Sequence, residues 1–178
     1  MKSLLVCGDR NWVDFDIIRS YLELANIAGF DTIIEGEAKG ADSIARDAGI
    51  LLGFNVIPVP AEWDKYHKAA GPIRNAKMLE YQPSLCLAFH PNIGQSKGTL
   101  DMITKARKAG IPVVLVDTEE NVSITLPTKA AWMVTEGVKG FLLDLTHEAL
   151  NQPIGEVPYT RDDAEDFLKE RSKFNAIH

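Results

Sequence analysis

Two short segments of this sequence have the residue types of anion-binding loops. The first contains Gly36, Lys39, Gly40, Ala41 and Asp42, and it joins an apolar run to a helical pattern. Small residues before a helix let backbone N–H groups face an anion, and the helix dipole adds to the attraction. We predict that this segment binds a phosphate or a ribose, with Lys39 adding positive charge and Asp42 bonding the ribose or the loop. A plain capped turn is the alternative.

The second segment contains Gly98 and Thr99 at the start of another helical pattern. Its backbone N–H groups, the Thr99 hydroxyl and the helix dipole together predict a second anion site. The first segment matches neither the Walker A motif nor the dinucleotide fingerprint. Two such loops at one edge of a sheet predict a ligand with a phosphate and a sugar, such as a nucleotide or its derivative.

Basic and amide side chains that would complete this site lie in two other segments. Gly8 and Arg10 follow an apolar run, where glycine permits close approach of a ligand and arginine can grip a phosphate. Arg74 and Asn75 follow a Gly-Pro pair at a helix start, from which they can point into a cleft. We predict phosphate contacts from both arginines.

Aromatic residues supply the remaining binding candidates, which are Trp12, Trp63 and Tyr66. Trp63 and Tyr66 can stack on a base, because the face of an aromatic ring accepts any base. The alternative is that they cover the edge of the sheet. His67, in the same segment, has acid–base potential, although we favour a solvated histidine there.

Short apolar runs alternate with helical periods over the first two thirds of the chain, which predicts an α/β fold of the Rossmann-like type. Five strands are expected, at 4–7, 32–34, 55–57, 85–89 and 112–116, with the last two helices at 73–81 and 99–109. Strands joined by helices form a mainly parallel sheet with helices on both faces. Ligands of such sheets bind beyond the carboxyl ends of the strands, where the loops named above lie.

The pattern loosens after residue 117. We therefore predict one Rossmann-like domain over 1–117 and a C-terminal extension over 118–178. No Ser- or Gly-rich linker separates the two, so the extension is expected to pack on the domain or to form an oligomer contact. A homo-oligomer is accordingly a plausible assembly.

Composition narrows the class of protein. The 178 residues are 46% hydrophobic and 25% charged, which is ordinary for one globular domain. The net charge of −6 makes nucleic acid an unfavourable partner. No apolar run is long enough for a membrane helix, and the start lacks a signal-peptide pattern, so a cytoplasmic protein is expected. Cys7 and Cys86 are predicted to be buried reduced thiols; neither a metal site nor a cofactor is expected.

The loops resemble those of the YspA-like branch of the SLOG superfamily, a group named for Smf/DprA and the LOG phosphoribohydrolases. The resemblance runs from about residue 3 to 117 and covers the segments 8–12, 34–42, 60–63, 69–75 with Met78, and 98–102. It implies a Rossmann-like fold that binds nucleotides or nucleotide-derived ligands.

The LOG enzymes of this superfamily cleave the bond between a base and ribose 5-phosphate. Arg74 fits the first LOG motif at its spacing, but Met102 stands where the second motif has its catalytic glutamate. Methionine can neither stabilise a developing sugar cation nor activate water. Glu37 lies where related proteins usually have glycine, and its charge opposes a bare phosphate. Each change favours binding over hydrolysis.

Three functions therefore compete at this stage. The leading one is a binder that senses or sequesters a nucleotide-derived molecule. The second is a nucleotide N-glycosidase that uses Asp101 or Glu37 as its carboxylate. DNA binding, by analogy with other members of the superfamily, is the least favoured because of the acidic composition.

Overall fold

Six strands form one sheet in residues 2–125, the part of the chain that the computed structural model describes. The strands are β1 Ser3–Gly8, β2 Thr32–Glu35, β3 Asn55–Pro58, β4 Leu85–Phe89, β5 Val113–Val116 and β6 Val122–Thr125. Their order is β3-β2-β1-β4-β5-β6; the first five are parallel and β6 pairs antiparallel with β5. The predicted α/β class and mainly parallel sheet are confirmed.

Helices cover both faces of this sheet, as the alternating pattern predicts. They are α1 Phe15–Ile27, α2 Ala41–Leu51, α3 Trp63–Tyr66, α4 Ala70–Leu79 and α5 Lys97–Lys108. Alternate residues of β1 point to opposite faces, so Leu4 packs in a core with α1 and α2 while Leu5 packs in a core with α4 and α5. The central strands are apolar throughout because both of their faces are covered.

Local chemistry determines where the helices begin. The Asp14 carboxylate accepts the amide of Ile17 at 3.0 Å and so caps α1. Helix α4 begins at Ala70, three residues before the predicted start, and includes the Gly-Pro pair in its first turn. Proline is tolerated there because amides of the first turn have no acceptor within the helix.

The sheet extends beyond the boundary predicted at residue 117, because β6 begins at Val122. The short helix α3 lies between β3 and α4, where the sequence analysis placed no helix. The rest of the predicted C-terminal extension, 126–178, lies outside the described residues.

Strand order also locates the crevice where a ligand would bind. The chain moves outward from β1 to β2 and β3, then returns to β4 on the other side of β1. The connections therefore diverge between the carboxyl ends of β1 and β4, which is the point where open α/β sheets bind ligands.

Candidate functional site

A cavity of about 550 Å³ opens at this divergence point. Its volume is in the range of small-molecule sites. The loop after β1, helix α4 with the segment before it, and the loop between β4 and α5 provide most of its wall. The residues predicted as binding candidates that line it are Gly8, Arg10, Asp42, Trp63, Arg74, Asn75, Gly98 and Thr99.

Other sequence-predicted residues do not line this cavity. They are Trp12, Gly36, Lys39, Gly40, Ala41, Tyr66 and the candidate carboxylate Glu37, which is exposed. Of the two candidate carboxylates, only Asp101 lies in the cavity wall, next to Met102. His67 is exposed and also outside the lining, as the solvated interpretation expected.

Trp12 is a core residue rather than a ligand-binding one. It is 4% exposed, and its ring lies 5.5 Å from that of Phe89. Its indole N–H donates to the backbone oxygen of Asp14 at 2.8 Å, which satisfies its polar atom inside the protein. Packing beneath the loop after β1 therefore accounts for this tryptophan, and the prediction that it binds a ligand does not fit its position.

Several amides of the loop after β2 and of the following helix start are bonded within the protein. The Gly36 amide donates to Asp42 Oδ2 at 3.0 Å, and the Glu37 amide donates to Glu35 Oε2 at 2.6 Å. The Ala41 amide donates to the backbone oxygen of Asp9 at 3.0 Å. Two carboxylates of the chain thus occupy the place that the sequence analysis assigned to a phosphate. Asp42 bonds the loop, which was one of its two predicted roles.

Gly36 and Gly40 serve this internal packing. A Cβ atom on Gly36 would overlap the guanidinium of Arg74. Gly40 has a φ of +74° and lies against the backbone of Asp9 and Arg10, so a side chain there would be both strained and in collision. Both glycines are therefore required by contacts within the protein, Gly36 by the Arg74 side chain of α4 and Gly40 by the loop after β1.

Arg74 is the centre of a polar network between this loop and α4. Its guanidinium donates to the backbone oxygen of Gly36 and to Asn75 Oδ1, and it lies 3.6 Å from Asp42 Oδ2. Its side chain is only 12% exposed. Arg74 therefore neutralises a buried carboxylate of the chain, which leaves less of its charge for a phosphate than the sequence analysis assumed.

Burial raises the pKa of both acids in this region. The pKa of Asp42 rises to about 6, because the cost of burial exceeds the stabilisation from Arg74 and the backbone amides. The pKa of Glu35 rises to about 7, chiefly through burial and against the effect of the Glu37 amide. Glu35 is fully buried, and its Oε1 has no hydrogen-bond partner in residues 2–125. Neutral pH lies close to the titration of this carboxyl group.

Asp101 is held by neighbours on both sides. Asn75, itself 4% exposed, donates to Asp101 Oδ2 at 2.9 Å and to the backbone oxygen of Gly98 at 3.2 Å. Lys105, one turn further along α5, pairs with Asp101 Oδ1. The carboxylate is thus neutralised and fixed at the wall of the cavity.

The start of α5 keeps two amides open. The Ser96 hydroxyl accepts the Thr99 amide at 3.1 Å and caps the helix. The amides of Lys97 and Gly98 donate to no acceptor within the described residues, and both residues line the cavity. The helix has 12 residues, long enough for its dipole to favour an anion at this end.

The lining also includes residues that the sequence analysis did not single out. Asp9, Lys68, His90, Ser96 and Lys97 are among the polar members of this group. His90 immediately follows β4, so the rule that ligands lie beyond strand ends was the signal that could have identified it.

The cysteines lie beside the site without forming a bridge. Cys7 and Cys86 are both buried free thiols, as predicted. A hydrogen bond with Cys86, followed by burial, raises the pKa of the Cys7 thiol well above its usual value. Among residues 2–125, no group of three or more His, Cys, Asp or Glu side chains is arranged to hold a metal ion. The same part of the chain contains no helix of sufficient length and hydropathy to span a bilayer.

The order of strands and the cleft at their divergence define a Rossmann-like α/β protein. A family model described as the YspA, cpYpsA-related SLOG family matches residues 3–66. The Gene 61 protein of Mycobacterium phage D29 is 38% identical over 121 residues, which are 64% of this chain and 95% of that protein. This chain belongs to the YspA, cpYpsA-related SLOG family, and the predicted resemblance is confirmed.

Among solved structures, DNA processing protein A (DprA) from Streptococcus pneumoniae is similar in fold. Its TM-score is 0.52 at 16% sequence identity, and the match covers 83% of this chain. The match spans 56% of the length of DprA, so this chain corresponds to only about half of that protein. At this identity the likeness supports the fold alone.

Proposed function

We propose that this protein binds a nucleotide or a nucleotide-derived molecule, either to sense it or to sequester it. The observation that carries the proposal is the open N-terminus of α5, where two amides with no acceptor among residues 2–125 lie at a cavity large enough for such a ligand. Membership of the SLOG family supports the same class of ligand.

The phosphate is assigned to the start of α5 rather than to the loop after β2. Backbone N–H groups at a helix start bind anions, and the side chains of Lys97 and Lys68 add positive charge to the same cavity. The Gly36 and Glu37 amides after β2 are already used by Asp42 and Glu35, so neither of the two is available to a second anion.

Among residues 2–125, one exposed aromatic side chain in the cavity wall is available to stack on a base. Trp63 is 46% exposed and lines the cavity, whereas Tyr66 lies outside the lining. The guanidinium of Arg10 lies 5.5 Å from the centre of the Trp63 ring. Stacking of a base on Trp63 contributes about 1–3 kcal/mol in comparable sites. We assign base stacking to Trp63 and phosphate contact to Arg10.

Catalysis by an N-glycosidase route is the second candidate, because Asp101 lies in the cavity wall. Its ties to Asn75 and Lys105 favour a structural role, and the exposed Glu37 lies outside the lining. Release of free base from nucleoside monophosphates or NAD, abolished by Asp101→Ala, would replace the binder proposal with an enzymatic one.

Partners and location follow from the same proposal. The name of DprA refers to DNA processing, but the net charge of −6 here argues against a general contact with a phosphate backbone. We propose a cytoplasmic protein with a small-molecule partner.

The division into 1–117 and 118–178, with the second part packing on the first or forming a homo-oligomer contact, also remains a proposal.

Binding is tested first by native mass spectrometry of the full chain purified from cells, and then by calorimetric titration. The titrants are nucleoside 5′-mono-, di- and triphosphates of the four common bases, and NAD. Lys97→Gln should weaken binding several-fold and reduce its salt dependence. Lys108→Gln, at the exposed opposite end of α5, is the matched control and should bind as wild type. The absence of binding to every titrant would refute the proposal.

A further inference from the structure

His90 is a nearly buried side chain that no part of the proposed phosphate or base site uses. It is 9% exposed, lines the cavity and follows β4 directly. Its Nδ1 accepts the amide of Asn92 at 3.0 Å, which fixes the orientation of the ring. When the imidazole is neutral, its proton is therefore on Nε2, and this N–H donates to no acceptor within residues 2–125.

Asp9 lies beside His90 at the same edge of the sheet. The Asp9 amide donates to the backbone oxygen of Phe89 at 2.8 Å, which aligns the end of β1 with the end of β4. Asp9 Oδ1 accepts the amide of Asn11 at 3.1 Å, and Oδ2 accepts no hydrogen bond from the described residues. Asp9 also lines the cavity. The divergence point thus combines one unused donor with one unused acceptor.

The charges around His90 argue against an anionic group at this position. Burial lowers the pKa of His90, and the neighbouring Asp9 raises it, with burial the larger effect. Asp117 follows β5, the strand next to β4, and its carboxylate is occupied by the amides of Glu119 and Asn121. The neutral imidazole can donate a hydrogen bond and the carboxylate can accept one, so together they suit a group that both accepts and donates. The negative charge of the carboxylate repels a phosphate.

We propose that His90 and Asp9 together bind the sugar hydroxyls of the ligand. The His90 Nε2–H donates to one hydroxyl oxygen, and the free oxygen of Asp9 accepts from the adjacent hydroxyl. This inference rests on the proposed nucleotide binding and narrows it: the ligand carries an unmodified ribose with both the 2′- and 3′-hydroxyls, rather than deoxyribose. Asp42, predicted as a ribose ligand, is already bonded within the loop.

The test compares ribonucleotides with their 2′-deoxy and 3′-deoxy forms. AMP, GMP, CMP and UMP are each titrated into the full chain beside the two deoxy forms. We expect the ribonucleotide to bind roughly tenfold or more tightly, because removal of a hydroxyl leaves a buried partner unsatisfied. His90→Ala and Asp9→Asn should reduce this preference to about onefold. His90→Gln, which places an amide N–H near the Nε2 position, should restore part of it.

His67→Gln is the matched histidine control, because His67 is exposed and outside the cavity. It should keep the full preference, and thermal unfolding verifies that each variant is folded. Equal binding of ribo and deoxy forms by wild type, or an unchanged preference in His90→Ala and Asp9→Asn, overturns the assignment while nucleotide binding stands. If wild type binds none of these nucleotides nor any other titrant named above, the proposed function and this inference fall together.

Discussion

The loop after β2 and the start of α5 have similar sequences of small residues, yet their amides have different partners. In the first, Asp42 and Glu35 accept the amides of Gly36 and Glu37. In the second, Ser96 caps only the Thr99 amide, and the amides of Lys97 and Gly98 stay open to the cavity. Glycines near a helix start are therefore insufficient to indicate an anion site. The amides are available to an anion only where no nearby carboxylate of the chain accepts their hydrogen bonds.

Removal of the Asp42 carboxylate should have the largest effect on this difference. Asp42→Ala leaves the Gly36 amide and the buried charge of Arg74 without their partner, which typically costs about 3–5 kcal/mol of unfolding free energy. Urea denaturation measures the loss. Asp47→Ala, an exposed acid on the same helix, should change the unfolding free energy by less than about 0.5 kcal/mol. Equal effects of both variants would show that the internal carboxylate is not what holds the loop.

The pH dependence of stability should identify the second internal acid. Glu35 keeps its proton up to about pH 7 in the folded state and loses it near 4.5 when unfolded. Between these pH values the folded state binds more protons than the unfolded state. The stabilisation from Glu35 is therefore complete below pH 4.5 and is lost as the pH rises towards 7. This loss amounts to roughly 3 kcal/mol of unfolding free energy.

Glu35→Gln removes this titration. Urea denaturation of wild type and variant between pH 4 and 8 should therefore show a difference in unfolding free energy that shifts in favour of the variant as the pH rises. A difference that stays constant across this range would contradict the raised pKa of Glu35.

The same substitution in the loop after β2 and at the start of α5 should have opposite consequences. Gly36→Ala brings a Cβ into the guanidinium of Arg74, and overpacking of this kind costs about 1–3 kcal/mol. Gly98→Ala meets nothing within 4 Å and lies in a helix, where alanine is favoured by up to about 1 kcal/mol. Chemical denaturation of the two variants checks the signs. Destabilisation by both substitutions would erase the proposed contrast.

Ser96→Ala should have the smallest effect on stability. Loss of an N-cap hydroxyl costs about 1 kcal/mol, which urea denaturation can measure. The change also frees the Thr99 amide, so nucleotide affinity should not fall. A large loss of affinity in this variant would indicate that the ligand contacts the serine itself rather than the amides beyond it.

Much of the fold follows from local patterns, because buried parallel strands are short apolar runs that end at glycine or proline. Strand β4, for example, was predicted at its observed bounds. The early start of α4 was missed because Gly71 and Pro72 normally interrupt a helix, although its first turn tolerates them. Strand β6 was missed because its segment lacks an apolar run.

The site was only partly predictable, because several roles depend on contacts between distant segments. Arg10, Trp63 and Gly98 line the cavity as expected. The ion pair between Arg74 and Asp42 depends on how α4 packs against the loop after β2. The spacing of residues along the chain does not predict this packing. Trp12 illustrates the same limit, since an aromatic residue after a strand suits a core as well as a ligand.

The position of Arg10 over Trp63 has a consequence for how a ligand enters. A planar base and the guanidinium cannot share the same face of the indole ring, because both need contact at stacking distance. Arrival of a base on that face would displace the arginine, whose charge would then be available to the incoming phosphate. Stacking of the base on Trp63 and release of Arg10 towards the phosphate would thus occur together. A molecule with only a base or only a phosphate would benefit from only one of these two contacts.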